Sequence, residues 1–377
     1  MNIKTKILSK SNQFNYYKSG YEKYKKDYED SVKSNENLTN KLGNVYNELN
    51  NYKELNENLS KQVQMLSSEN KRLTNLRSSE LNATSFCNNN LVNFIYREDF
   101  PLILSKFVDG LSDETRHEAI CIFSRAIAAS FLRNNTLFSE KELEEQKKHL
   151  EFKDKYVSGN EICGFKFKNH NFNMHCFMND FLTEEDKKFI KDKDIIDAGA
   201  FVGDSSIPLS ILTSKEVHAF EPFNNSYGEL VENIEMNNIK NIVPVNASLS
   251  NQTGKENLYL SGNNYQGITS DASIRRYDEV LTVNTITVDE YVEKNNLNLG
   301  FIKVDVEGGE QNLIKGAINT IKSQKPILLL SIYHTPDDFF GIKSMIDDLD
   351  LGYSFKISKE RPWAFLADTI LECRCYD

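Results

Sequence analysis

Large apolar side chains recur at alternating intervals of three and four residues over residues 14–77 of this 377-residue chain. With Phe14 at heptad position a, the pattern runs for nine heptads, which predicts a left-handed coiled coil over residues 1–80. Polar seam positions predict a parallel dimer, because an Asn at position a bonds its counterpart across the seam. These positions are Asn35, Asn56 and Asn70. The alternative is a single amphipathic helix that folds back on the protein.

The next segment has the irregular apolar spacing of ordinary amphipathic helices. We expect a packed helical neck over residues 81–155, in which Ser112 caps a helix that runs through Arg133. Residues 156–184 follow as a connector with short apolar alternations that are typical of strands.

Strand and helix patterns alternate after Thr183, which predicts a largely parallel, doubly wound α/β sheet over residues 185–377. A polar, β-rich segment at about residues 256–288 interrupts the alternation, and we interpret it as a hairpin insertion placed to cover the substrate. The predicted strands are 194–198, 216–220, 242–247, 300–305, 326–332, 352–358 and 368–376.

Charge is distributed unevenly along the chain, whose net charge is −10. Residues 1–80 hold 14 Lys and Arg against 10 Asp and Glu, so the remainder is strongly acidic. Because nucleic-acid binding needs cationic side chains to neutralise phosphates, we do not expect a nucleic-acid partner. No apolar stretch reaches membrane-spanning length and no signal peptide is readable, which favours a cytoplasmic protein whose six cysteines are reduced.

Residues 194–206 have the sequence DIIDAGAFVGDSS, the pattern of a buried strand, a glycine turn and the start of a helix. A dinucleotide fingerprint has Gly-x-Gly-x-x-Gly and places a pyrophosphate at the helix start. Here the spacing is Gly-x-x-x-Gly, and Asp204 would repel phosphates while tolerating the sulfonium zwitterion of S-adenosylmethionine. The residues assigned to cofactor binding in this turn are Asp197, Gly199, Ala200, Gly203 and Asp204.

Two further polar residues follow the next two predicted strands. Glu221 lies 24 positions after Asp197, where an acidic side chain accepts hydrogen bonds from both ribose hydroxyls of a nucleoside cofactor. Asn246 ends the third strand at the same edge of the sheet, where its amide would contact adenine.

The segment 301–310, FIKVDVEGGE, brings three carboxylates together after the fourth strand. Carboxylates this close repel one another and need a cation or a proton nearby. His334 follows the fifth strand on the same rim, and imidazole titrates near neutrality, so Asp305 and His334 are both candidates for a catalytic base. A divalent metal held by Asp305 and Glu307 is an alternative that we do not predict.

These motifs, in this order, resemble the FkbM-type family of S-adenosylmethionine-dependent methyltransferases. The resemblance covers about residues 185–377, and the predicted coiled coil lies outside it. Its motifs are DAGAFVGD at 197–204, FEP at 220–222, IKVDVEG at 302–308 and SIYH at 331–334, of which the last two are the more specific.

The resemblance implies a class I methyltransferase fold, with seven strands of which the last is antiparallel. It also implies O-methylation of a sugar, glycan or small-molecule hydroxyl. Carried over by position, Asp197, Gly199 and Gly203 form the methionine-side turn, Glu221 binds ribose, Asn246 lies by adenine, and Asp305 lies nearest the methyl group. Many members have Asn where this chain has Phe201, which puts a polar contact from that position in doubt.

Two functions from different classes therefore follow from the sequence. The first is an S-adenosylmethionine-dependent O-methyltransferase that self-associates through its coiled coil. The alternative is an assembly or tethering protein whose methyltransferase-like domain is not catalytic. A dehydrogenase is disfavoured by the glycine spacing and by Asp204.

Overall fold

The structure is a computed structural model. It describes residues 90–132, 157–158, 160–169, 181–260, 268–269, 277–359 and 366–376, together with single residues of other segments. The chain divides into two units, Met1–Ser78 and Ser79–Asp377. The predicted coiled coil over residues 1–80 lies outside the described residues, apart from the single helical residue Ser19.

Ten helices and fourteen strands are defined within the described ranges. None of these helices is both long and apolar enough to cross a membrane. The helices are α1 Asn90–Ile95, α2 Phe100–Val108, α3 Asp113–Leu132, α4 Glu184–Ile190, α5 Ser206–Leu209, α6 Asn224–Met236, α7 Val288–Asn295, α8 Glu310–Lys315, α9 Ile318–Gln324 and α10 Pro336–Asp347. The strands are β1 Val157–Ser158, β2 Glu161–Ile162, β3 Phe165–Lys166, β4 Asp194–Ala198, β5 Val217–Phe220, β6 Ile242–Val245, β7 Ser248–Leu249, β8 Gly254–Leu260, β9 Ile268–Thr269, β10 Glu279–Ile286, β11 Leu299–Val304, β12 Ile327–Ser331, β13 Ser354–Lys359 and β14 Thr369–Arg374.

Seven strands form the central sheet in the order β13-β14-β12-β11-β4-β5-β6. The five strands from β12 to β6 run parallel, and β14 is antiparallel to both of its neighbours. The predicted doubly wound seven-stranded sheet with an antiparallel last strand is therefore confirmed. The strand order reverses between β4 and β11, the place where α/β sheets of this type bind ligands.

Alternate residues of each central strand point to opposite faces of the sheet, and each face carries its own apolar core. On β4, Ile196 and Ala198 belong to the larger core, whereas Ile195 packs into the smaller one. Because both faces are covered, the strands are apolar almost throughout, and a charged side chain within them requires a partner.

The first three helices belong to the larger core. They lie in the segment 81–155 that the sequence predicts as a packed helical neck, and α1, α2 and α3 pack on α10 through a cluster of phenylalanines around Phe340. The Phe340 ring lies 5.2–5.5 Å from four other rings, those of Phe94, Phe100, Phe107 and Phe123. The apolar faces of these helices are buried in this way. The predicted cap of α3 is confirmed, since Ser112 Oγ accepts the Thr115 N–H at 3.2 Å.

The segment predicted as an insertion forms a second sheet, with the strand order β7-β10-β8-β9. Its strands β8 and β10 are an antiparallel pair, and β9 pairs with β8 so that Thr269 is opposite Tyr259. Thr269 Oγ1 donates a hydrogen bond to the Glu307 carbonyl oxygen at 2.6 Å. The insertion therefore reaches the loop that follows β11.

Candidate active site

The glycine turn after β4 is packed tightly against the loop that follows β11. Gly199 has a φ of +77°, and a Cβ at this position would lie 1.8 Å from the Asp305 carbonyl oxygen. The Gly199 and Ala200 N–H groups both donate to the Phe220 carbonyl oxygen at the end of β5. Only glycine fits this approach, because any Cβ would overlap the neighbouring backbone.

Asp197 and Lys303 form a buried ion pair beneath that turn. They are direct neighbours in the parallel register of β4 and β11, and the lysine Nζ lies 3.1 Å from Asp197 Oδ1. The other oxygen, Oδ2, accepts hydrogen bonds from Ser205 Oγ at 2.7 Å and Ser206 Oγ at 2.5 Å. Burial alone would lower the pKa of Lys303, but the charges of the nearby aspartates raise it above its ordinary value.

The structure places Asp197 beneath the turn, and its assignment to cofactor binding stays a prediction. We expected Asp197 to contribute directly to the cofactor turn, but its side chain is fully buried and both of its oxygens are engaged. Lys303 Nζ also donates to the Gly199 carbonyl oxygen at 2.7 Å. Asp197 and Lys303 therefore fix the backbone of the glycine turn from its buried side.

Glu221 connects the turn to the end of β5. Its Oε2 accepts the Phe201 N–H at 3.0 Å and its Oε1 accepts the Phe223 N–H at 2.9 Å. Burial raises the pKa of Glu221 to about 7, although these two N–H groups act in the opposite direction. Phe201 itself has a φ of +46°, a left-handed conformation that Asn adopts more readily than Phe.

The other predicted cofactor residues lie around the same edge of the sheet. Ala200 is fully buried in the smaller core and Asp204 is almost fully buried. Gly203 has a φ of +91°, and its N–H donates to the Ala200 carbonyl oxygen at 2.7 Å. Asn246 follows β6, but its amide Nδ2 donates to the Glu221 carbonyl oxygen at 3.0 Å. Asn246 thus fixes the backbone at Glu221 through this hydrogen bond.

His334 lies among three carboxylates at the carboxyl ends of β11 and β12. Its Nδ1 is 2.8 Å from Glu310 Oε1, and its Nε2 is 3.5 Å from Asp305 Oδ1 and 3.7 Å from Glu307 Oε2. Burial alone would lower the pKa of His334, but the charges of Glu310 and Glu307, followed by that of Asp305, raise it to about 10. In the absence of another cation the imidazole is therefore protonated at neutral pH.

Glu310 organises this end of the site. It is fully buried, and its Oε1 and Oε2 accept the Val306 and Gly308 N–H groups at 2.9 Å each. Burial alone would raise the pKa of Glu310, but the positive charge of His334 and the hydrogen bond from the Val306 N–H lower it. Glu310 therefore holds both the loop after β11 and the imidazole ring.

Asp305 and Glu307 are the accessible carboxylates of this cluster. Their side chains are 35% and 37% exposed, compared with 4% for His334. The Tyr333 hydroxyl lies 3.2 Å from Asp305 Oδ1 and 3.3 Å from its Oδ2. Burial raises the pKa of Asp305, against the lowering effect of the positive charges on His334 and Lys303.

Three residues in this site were not assigned a role by the sequence. Lys303 and Tyr333 were quoted only within motifs, and Glu310 was counted only among the carboxylates of the segment 301–310. A lysine inside the apolar run of β11 was the available signal for Lys303, since a buried cation needs a carboxylate opposite it. Nothing local to residues 310 or 333 indicates their long-range partners.

The strand order, with a glycine turn after its first parallel strand and carboxylates after its second and fourth, defines a class I methyltransferase-like α/β domain. Residues 197–355 match the family model of the methyltransferase FkbM domain. This part of the chain is therefore similar to the methyltransferase FkbM domain, in agreement with the resemblance of its motifs.

Relatives of known name are similar to parts of the chain. The hexuronic acid methyltransferase AglP of Haloferax volcanii is 29% identical over 131 residues, which are 34% of this chain and 51% of that protein. The chain thus spans about half the length of this curated relative. The crystal structure of methyltransferase FkbM from Methylobacillus flagellatus KT is 16% identical with a TM-score of 0.47, over 76% of this chain and 62% of that one. Precorrin-6y C5,15-methyltransferase from Geobacter metallireducens GS-15 is 13% identical with a TM-score of 0.32, over 59% of this chain and 94% of that one.

Proposed function

We propose that this protein is an S-adenosylmethionine-dependent O-methyltransferase whose acceptor is a hydroxyl group of a sugar or glycan. One observation carries the proposal: the turn that would hold the donor, at Gly199, is in backbone contact with Asp305, the carboxylate that would face the acceptor. Donor and acceptor groups would therefore meet at the reversal point between β4 and β11.

The residues around the turn fit S-adenosylmethionine. Each Glu221 oxygen accepts one backbone N–H and keeps a lone pair for a ribose hydroxyl. The nearly buried Asp204 carboxylate suits the cationic ends of the cofactor and would repel a pyrophosphate. When bound, S-adenosylmethionine supplies an electrophilic methyl group on a sulfonium sulfur.

The protein's task in this reaction is alignment and the removal of one proton. The acceptor oxygen forms a bond to the methyl carbon while the carbon–sulfur bond breaks and its electron pair goes to sulfur. The hydroxyl proton goes to a carboxylate oxygen of Asp305, which is half-buried at the rim. His334 is the weaker candidate for the base because it already carries a proton at neutral pH.

A sugar acceptor is supported by the related hexuronic acid methyltransferase and by the insertion sheet. Tyr259 on β8 and Tyr277, two residues before β10, have ring centroids 4.8 Å apart. Tyr259 is directly opposite Thr269, which contacts the loop at Glu307. Flat aromatic side chains provide a large contact area for a sugar ring at low conformational cost.

The proposal is tested with the full chain and labelled S-adenosylmethionine. Calorimetry should detect cofactor binding, and label should pass to members of a panel of hexuronic acids, neutral sugars and extracted glycans. We expect Asp305→Asn to lower the rate by about 10²–10⁴-fold with cofactor affinity kept, whereas Glu235→Gln, an exposed change on α6, leaves the rate unchanged. A protein that binds no cofactor, or Asp305→Asn and His334→Ala variants with unaltered rates, would rule the assignment out.

A non-catalytic tethering role is separated from this function by the same calorimetry. A domain that has lost activity together with its cofactor would give no binding heat. Binding without transfer to any acceptor in the panel would favour tethering over catalysis.

A further inference from the structure

We propose that His334, Asp305 and Glu307 form a binding site for one divalent transition-metal ion at the acceptor side of the active site. This inference rests on the proposed function, since the cation would act on the acceptor hydroxyl of that reaction. It assigns a ligand to a cluster that the methyl-transfer reaction alone does not require.

The first argument is the position of His334 Nε2. The side chain is only 4% exposed, and Nε2 points at Asp305 Oδ1 and Glu307 Oε2. Both distances, 3.5 and 3.7 Å, exceed the 2.7–2.9 Å of a charge-assisted hydrogen bond. Nε2 is consequently a buried polar atom without a hydrogen-bond partner among the described residues.

The second argument is the size of the gap between these atoms. Ligand atoms that bind one transition-metal ion at about 2.0–2.2 Å lie roughly 3.0–3.6 Å from one another. The separations of Nε2 from the two carboxylate oxygens fit this range after a small side-chain rotation. One ligand atom from each of Asp305, Glu310 and His334 also lies within 4.8 Å of the other two, whereas Glu307 is not part of that group and meets the site through Nε2 alone.

The third argument is the contact made by the opposite ring nitrogen. Nδ1 faces Glu310 Oε1 at 2.8 Å, and Glu310 is fixed by two backbone N–H groups. Nδ1, like Nε2, has no hydrogen bond of regular geometry among the described residues, so its contact with Glu310 is a close ion pair. A carboxylate beside the other ring nitrogen is the usual surrounding of a metal-bound histidine, because it orients the ring and makes it a better ligand. Glu310 would therefore be a positioning residue that does not touch the cation.

Charge favours the same conclusion. Three carboxylates surround one imidazole, so the cluster stays negative even when that imidazole is protonated. A divalent cation would replace the Nε2 proton and compensate the carboxylates more fully. One imidazole nitrogen with two carboxylate oxygens suits ions such as Mn²⁺ and Zn²⁺. A cation here would hold the acceptor oxygen in line with the methyl group and lower the pKa of its hydroxyl.

The test measures metal binding by the full chain alone, without donor or acceptor. Chelator-treated protein is dialysed separately against Mn²⁺ and Zn²⁺. We expect one equivalent of at least one ion to bind, with affinity lowered tenfold or more in His334→Gln and in Glu307→Gln and by about 10–100-fold in Glu310→Gln. Glu235→Gln on α6 should bind as the wild type does. Glu307 is partly exposed, so its variant stays informative if the His334 variant fails to fold.

Binding of neither ion, or equal binding by the His334 and Glu307 variants, would overturn the proposal and leave an imidazolium–carboxylate cluster only. The rate of methyl transfer after chelation separates this result from the fate of the proposed function. If chelation leaves the rate of methyl transfer unchanged, the proposed role of the metal is rejected and the proposed methyltransferase function stands. If one equivalent of metal binds but neither cofactor binding nor methyl transfer is detected, the proposed methyltransferase function is rejected. The proposed role of the metal at the acceptor is then rejected as well.

Discussion

Lys303 and Asp197 face each other across the two central strands, with Nζ 3.1 Å from Oδ1 and both side chains buried. Removing one partner leaves the other charge buried without compensation. We expect Lys303→Met to lower the free energy of unfolding by about 3–5 kcal/mol, measured by urea denaturation. The exposed Lys240→Met should change it by less than about 0.5 kcal/mol.

The double variant Asp197→Asn/Lys303→Met sharpens this prediction. It removes both charges, so it should be more stable than Lys303→Met alone, with a coupling energy of about 1–3 kcal/mol in a double-mutant cycle. Additive effects would mean that the two side chains do not interact.

Gly199 and Gly228 form a matched pair, because a Cβ would clash with neighbouring atoms at Gly199 and would meet open space at Gly228. Gly199→Ala places a methyl group 1.8 Å from the Asp305 carbonyl oxygen, and we expect it to cost more than about 4 kcal/mol or to prevent folding. Gly228 lies in α6 with nothing near its missing Cβ, so Gly228→Ala should be neutral or stabilise the helix by up to about 1 kcal/mol. Thermal unfolding followed by circular dichroism measures both. Equal effects at the two positions would contradict the close packing of the turn.

Glu221 makes stability depend on pH in a defined window. Its pKa rises from 4.5 in the unfolded chain to about 7 in the folded protein, so the folded protein holds this proton more tightly. Its contribution is therefore fully present below pH 4.5 and is lost as the pH rises to about 7. The free energy of unfolding of the wild type, relative to Glu221→Gln, should fall by about 3 kcal/mol over this interval. Denaturation curves at several pH values measure this difference, and an unchanged difference would exclude a raised pKa.

Phe340 tests whether α1, α2 and α3 fold as one body with the central sheet. Its ring contacts phenylalanines from all three helices and is 1% exposed, so Phe340→Ala should cost about 3–5 kcal/mol. Leu102→Ala, at a position 62% exposed on α2, should cost less than about 0.5 kcal/mol. A small loss in Phe340→Ala would instead indicate helices that are loosely attached.

The predicted coiled coil is tested by deletion. Removal of residues 1–78, one of the two units of the chain, should give a protein that is monomeric in analytical ultracentrifugation and still binds S-adenosylmethionine. A truncated protein that remains dimeric would place the self-association in the second unit. Loss of cofactor binding would mean that the first unit supports the site.

The sheet was predictable from sequence because each strand is a short apolar run with a turn signal at its end. The predicted strand at 300–305 is β11 at 299–304, which leaves Asp305 directly after it. Side-chain partners were harder to predict. Nothing near Asn246 indicates that its amide binds the Glu221 carbonyl oxygen, and Asp197 has the same local sequence whether it faces a cofactor or a lysine. Such contacts join distant parts of the chain, and local periodicity carries no information about them.

The contact between Gly199 and the Asp305 backbone has a mechanical consequence. Two loops that touch through main-chain atoms do not shift independently, so in the proposed reaction the distance between donor and acceptor would be set when the chain folds. Substrates of different shape would then be accommodated by the insertion sheet and its aromatic side chains. Sequence changes in β8 to β10 could then alter the acceptor preference without changing the relative positions of the loops at Gly199 and Asp305.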